Sequence, residues 1–81
     1  MSDIRNAILQ SIADVAPDAD LDELDPGADL RDELDIDSMD FLNVLVKINE
    51  RLGVEVPEED YGRVRTLDAL ESYVGNRRVH G

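Results

Sequence analysis

The chain contains no cysteine and no tryptophan. It therefore has no disulfide framework, no thiolate metal site and no thiol nucleophile of its own. Aromatic residues are nearly absent too: Phe41, Tyr61 and Tyr73 are the full set, so any core must be aliphatic. The single histidine, His80, is next to last and reads as a terminal residue, since a catalytic histidine needs positioned partners. Positive charge is scarce. Eight Lys and Arg stand against 20 Asp and Glu, a formal net charge of -12. A field of this sign disfavours nucleic acid and anionic membranes as partners and favours basic protein surfaces. No apolar run approaches the ~20 residues of a membrane span. The start Met1-Ser2-Asp3-Ile4-Arg5 lacks the basic and apolar segments of a secretory leader, so a cytoplasmic location is expected.

What is present suffices for one small domain over residues 1–81, expected to be monomeric. A chain of this length buries roughly 60–65% of its unfolded surface. Its 42% apolar content argues against the disorder that the charge alone would suggest. Ile4, Ala7, Ile8, Ile12 and Val15 recur at helical spacing and predict a first helix from Asp3 to about Val15, with Ser2 as cap and Pro17 as stop. From Ala16 to Ile36 the composition turns acidic around Pro17, Pro26 and Gly27, with Arg31 the only base. Leu21, Leu24, Leu30, Leu34 and Ile36 inside that stretch predict a long loop, with room for a helical turn, pinned to the core. Loops of this length in compact domains are usually functional or disordered, and the pinning favours function.

The clearest helix is Ser38 to Leu52, closed by Gly53 as a left-handed cap. Phe41, Leu42, Val44, Leu45, Ile48 and Leu52 share a face broader than that of an ordinary surface helix, so this helix is expected to be central. Met39 and Val46 sit at the edge of that face, partly exposed. Val54-Glu55-Val56-Pro57 is extended but has no second strand to pair with, and reads as a connector. Glu58-Glu59-Asp60 opens a short helix expected to end at Gly62, and Val64 plugs the next loop. Thr66 caps a last helix in which Leu67, Leu70 and Val74 face inward; residues 75–81 are expected to form a flexible tail.

Asp37-Ser38-Met39-Asp40 lies where the acidic loop meets the central helix. A helix start offers free N–H groups and a positive dipole end that suit a phosphate. Either Ser38 or Asp37 could instead simply cap the helix, and the dipeptide alone is a weak signal in a chain with 13 Asp. The set is more specific. A helix of about a dozen residues, a Leu-anchored loop, Leu34-Asp35-Ile36-Asp37-Ser38-Met39-Asp40, then Gly53-Val54-Glu55-Val56-Pro57-Glu58-Glu59 and Thr66-Leu67-Asp68-Ala69-Leu70 resemble an acyl carrier protein over nearly the whole chain.

That resemblance implies an all-α four-helix bundle with a short third helix and a long loop between helices I and II. It also implies a carrier rather than an enzyme, with 4'-phosphopantetheine from coenzyme A attached to Ser38 and acyl groups carried on it as thioesters. The implied partners are a phosphopantetheinyl transferase and acyl-transferring, condensing or ligating enzymes with basic docking surfaces. Asp35, Asp37, Met39, Asp40, Val46 and Glu50 are the expected docking residues. Leu42, Leu45, Val46 and Ile48 are the expected lining of an acyl-chain pocket, although ordinary core packing explains the same stripe. Two residues depart from the family pattern: Met39 stands where Leu is usual, and Asp35 where Gly is often found. These departures suggest partners beyond a housekeeping fatty-acid synthase. Fatty acid biosynthesis is the default pathway; polyketide, specialised lipid or aminoacyl chemistry is the alternative.

Two other readings compete. Asp18, Asp20 and Asp22 mimic three positions of an EF-hand loop, but Glu23 stands where its Gly belongs and Asp29 where its bidentate Glu belongs, so no specific calcium site is expected. An acidic module that merely binds protein, or mimics DNA, would use the same charge without Ser38. Arg63, Arg65, Arg77 and Arg78 make the end of the chain more basic, an asymmetry with no role evident in the sequence.

Overall fold

Apolar residues three and four apart make Asp3–Val15 a helix, α1, in the computed structural model, which describes residues 3–80. The Ser2 cap expected from the sequence lies outside the described residues. Ile8 and Ile12 are fully buried, with Ser11 between them. The Ser11 hydroxyl donates to the Ala7 carbonyl at 2.9 Å and accepts from Arg51 Nη1 at 3.2 Å. Arg51 also pairs with Asp14 at 2.7 Å, which joins α1 to the helix that follows the acidic segment.

That acidic segment is more ordered than a long loop with one helical turn. It holds a 3-10 turn at Leu21–Glu23 and a five-residue helix, α2, at Leu30–Leu34. The reason is capping. Asp20 accepts the Asp22 N–H at 3.2 Å, and Asp29 accepts the Arg31 N–H at 2.9 Å. At the other end of α2, Asp35 takes a left-handed conformation at φ 53°, and its N–H donates to the Arg31 carbonyl. Leu30 is fully buried, and Leu21, Leu24, Leu34 and Ile36 pack against the core as half-buried residues.

The central helix, α3, spans Ser38–Leu52 and buries Phe41, Val44, Leu45 and Ile48. It ends at Gly53, φ 69°, whose N–H donates to the Asn49 carbonyl at 2.8 Å. This is the left-handed stop that glycine adopts without a Cβ penalty. Val54 and Val56 then insert into the core from an extended connector. A 3-10 helix follows at Glu58–Arg63, one residue beyond the expected stop at Gly62, and Val64 is fully buried behind it.

The last helix, α4, spans Leu67–His80. Thr66 Oγ1 accepts the Ala69 N–H at 3.0 Å, and Leu67, Leu70 and Val74 are buried. The expected tail from Gly75 is corrected through residue 80, because the helix continues to His80. Interactions on the last turns explain this. Arg77 lies 4.7 Å from the centroid of the Tyr73 ring and pairs with Asp60 at 3.2 Å, tying the end of α4 to the 3-10 helix.

The fold is all-α, with no strand among the described residues. α1, α3 and α4 are its long members, the Glu58–Arg63 helix is the short third one, and α1 packs chiefly on α3. Arg5 joins α1 to α4, reaching Glu71 at 2.9 Å and Asp68 at 2.6 Å. The acidic segment is sewn to the α4 approach by the Leu30 N–H, which donates to the Arg65 carbonyl at 2.7 Å, and by the Asp68 N–H, which donates to Pro26. No helix among the described residues is long and apolar enough to cross a membrane.

Candidate functional site

Four serines and one threonine carry the aliphatic hydroxyls of the chain. Ser2 is outside the described residues. Ser11 is fully buried, and Thr66 is engaged as a cap. Ser72 is exposed in the middle of α4. Among the described hydroxyls, Ser38 alone is both exposed and first in a helix.

Asp37, not Ser38, caps α3. Its Oδ1 accepts the Asp40 N–H at 2.9 Å, and its carbonyl accepts the Phe41 N–H at 3.1 Å. The Ser38 hydroxyl is thereby left outside the cap, at the positive end of a 15-residue helix.

A cavity of about 270 Å³ opens beside Ser38. Phe41 and Leu42 of α3 line it, with Tyr61 and Gly62 of the 3-10 helix. Asp29, Arg31 and Arg65 supply its polar wall. The same three residues, with Asp32, Asp35 and Ile36, also line an adjoining polar cleft. Asp29 Oδ2 accepts from Arg65 Nη2 at 2.7 Å and Nε at 2.9 Å, while its Oδ1 holds the Arg31 N–H. The Arg31 N–H first, and then the Arg65 guanidinium, hold the Asp29 carboxyl below the usual carboxylate range against the opposing effect of desolvation.

The residues expected to dock partners lie along α3 and its approach. Asp35, Asp37 and Glu50 are exposed, and Asp40 is half-buried. Met39 is 67% exposed and Val46 54%, large apolar side chains left in solvent. Glu50 lies 3.8 Å from Lys47. The residues expected to line an acyl pocket divide. Leu42 lines the cavity beside Ser38 and also a second cleft of about 470 Å³, where it meets Leu45, Val46, Val56 and Tyr61. Ile48 lines neither; it is 0% exposed, within the core. Sequence reasoning missed Asp29, Arg31, Tyr61, Gly62 and Arg65 as neighbours of the Ser38 cavity. One signal was available: Arg31 is the lone base in a run of acids.

The family model described as "Phosphopantetheine attachment site" matches residues 6–74. An acyl carrier protein of Rubrobacter xylanophilus is 32% identical over 73 residues, covering 86% of this chain and 90% of that protein. A meromycolate extension acyl carrier protein of Mycobacterium tuberculosis is 28% identical over 67 residues, covering 83% of this chain. The chain spans only 55% of the length of that relative. No solved structure matches.

A helical bundle matched over residues 6–74 to a phosphopantetheine attachment family defines a carrier. The chain belongs to the acyl carrier protein family. It is a non-catalytic carrier, and 4'-phosphopantetheine is the prosthetic group of its family.

Proposed function

We propose that Ser38 bears the 4'-phosphopantetheine arm and that residues 1–81 act as one cytoplasmic, monomeric carrier domain for acyl intermediates. The observation that carries this reading is the position of Ser38: exposed, first in α3, free of the cap and beside a cavity. The residues there suit the group. An exposed hydroxyl gives the transferase access, the helix start favours the phosphodiester, and apolar Phe41, Leu42 and Tyr61 suit the arm beyond it.

Loading is a phosphoryl transfer. Ser38 Oγ forms a bond to the β-phosphorus of coenzyme A as the pyrophosphate bond breaks, and adenosine 3',5'-bisphosphate leaves. The docked transferase takes the serine proton. The bound arm supplies the terminal thiol on which acyl groups are held as thioesters, which agrees with a chain that has no cysteine.

Docking falls to the surface around Ser38, where exposed Met39 and Val46 are flanked by Asp35, Asp37, Asp40 and Glu50. Apolar anchors ringed by acids suit a partner with a hydrophobic depression and Arg or Lys at its rim. Lipid synthesis is the favoured pathway, supported by the relatives named for meromycolate extension, with fatty acid biosynthesis as its simplest form. Incubation with coenzyme A and a broad-specificity phosphopantetheinyl transferase, followed by intact mass measurement, tests the reading. One adduct is expected on the wild type and none on Ser38→Ala; a wild type left unmodified by several transferases overturns it.

A further inference from the structure

Arg31 is the one base between Asp14 and Asp40, a stretch with 12 acidic residues. Its neighbour on the cavity wall, Arg65, is neutralised by Asp29. Arg31 gives its backbone N–H to that carboxylate and attracts it through its charge from a longer distance, but its guanidinium makes no ion pair among the described residues. The side chain is exposed and lines both the cavity that contains Ser38 and the polar cleft next to it. An unpaired guanidinium amid excess carboxylate, on the wall that also carries an exposed hydroxyl, needs a reason.

We propose that Arg31 is the counter-ion of the phosphodiester formed at Ser38 and that it sets the direction in which the arm leaves the protein. This rests on the attachment reading above. A phosphodiester on Ser38 Oγ brings a negative charge next to Asp35, Asp37 and Asp40, and like charges at this range repel. The α3 dipole offsets part of that repulsion. Arg31 supplies the only other positive charge on this wall that has no ion pair among the described residues, and its planar fork matches two phosphate oxygens at once. Pairing there holds the base of the arm against the α2 side of the cavity and lays its next atoms over Phe41, Leu42 and Tyr61. The ligand is thus the chain's own phosphodiester, and Arg31 is a positioning residue with no part in the chemistry.

The test compares apo and loaded forms of the wild type, Arg31→Gln and Arg31→Lys, with loading verified by intact mass. Arg31 is exposed on a short surface helix, so all three are expected to fold. NMR then reads the phosphodiester ³¹P resonance and the Arg31 Nε–Hε resonance. In the wild type, loading is expected to shift the Arg31 resonance while Arg65 stays in place. The ³¹P resonance is expected to differ between wild type and Arg31→Gln, with Arg31→Lys intermediate, and the difference is expected to shrink at 1 M salt, where the screening length is about 3 Å. A loaded protein whose ³¹P and Arg31 resonances ignore these changes overturns the proposal and leaves the attachment reading standing. So does an equal Arg31 shift when free coenzyme A is added to Ser38→Ala, which would make Arg31 a general anion contact. A wild type that accepts no arm overturns both.

Discussion

The Tyr73 hydroxyl donates a 2.6 Å hydrogen bond to Oδ2 of Asp60, the oxygen that Arg77 Nη2 also reaches at 3.2 Å. Asp60 is only 13% exposed, so its carboxylate depends on these partners. Desolvation, and then the bond to Asp60, push the Tyr73 hydroxyl above its ordinary value of 10.0. A raised value in the folded state means stability that is fully present below pH 10 and lost as pH rises through the folded value. Urea unfolding followed by circular dichroism is expected to show a fall in midpoint above pH 10. In Tyr73→Phe that alkaline fall should be smaller, with a loss of about 1 kcal/mol at neutral pH.

Asp29 should govern part of the acid limb. Its folded value is lowered, so the stability it contributes is present above its ordinary value of 3.8 and lost as pH falls through the folded value. Asp29→Asn keeps a side-chain oxygen for the α2 cap but loses the charge that holds Arg65. The expected result is a lower melting temperature at pH 7 and a flatter decline below pH 4 than in the wild type.

Among the described residues, two hold left-handed backbone, and they should respond differently to substitution. Gly53→Ala meets no atom within 4 Å, so its cost is conformational, about 1–2 kcal/mol. Asp35→Gly relieves the same kind of strain at the end of α2 and is expected to leave the melting temperature unchanged or slightly higher. Differential scanning calorimetry of both variants checks the contrast.

Ile48 and Val46 separate core from surface on one helix. Ile48→Ala should destabilise by about 2–5 kcal/mol, since a fully buried side chain leaves a cavity. Val46→Ser should stay within about 0.5 kcal/mol of wild type, as befits an exposed position. Val46→Ser is also expected to slow acyl loading by a partner enzyme, which an assay of loading rate against protein concentration would read.

The long helices were legible because their signals are local. The Ile4 to Val15 stripe, the broad face of Ser38–Leu52 and its Gly53 stop are spacing and capping rules that operate within a few residues. The acidic segment was less legible, because α2 depends on Asp29, whose second oxygen is held by Arg65, 36 residues away. The end of α4 was misread for the same reason: its support, Asp60, lies elsewhere in the chain. Ser38 was marked only by the resemblance of the whole set of segments, since its place at a helix start is a weak signal by itself, and the cavity beside it was not legible at all, because Tyr61 and Arg65 reach it only through the fold.

The most direct test of the carrier reading is to locate the adduct. The protein isolated from its native cells, or loaded in vitro, would be fragmented and the added mass assigned by tandem mass spectrometry. The whole phosphopantetheine mass is expected on Ser38, with Ser11, Thr66 and Ser72 unmodified. An adduct on exposed Ser72, or no adduct after exposure to active transferases, would contradict it.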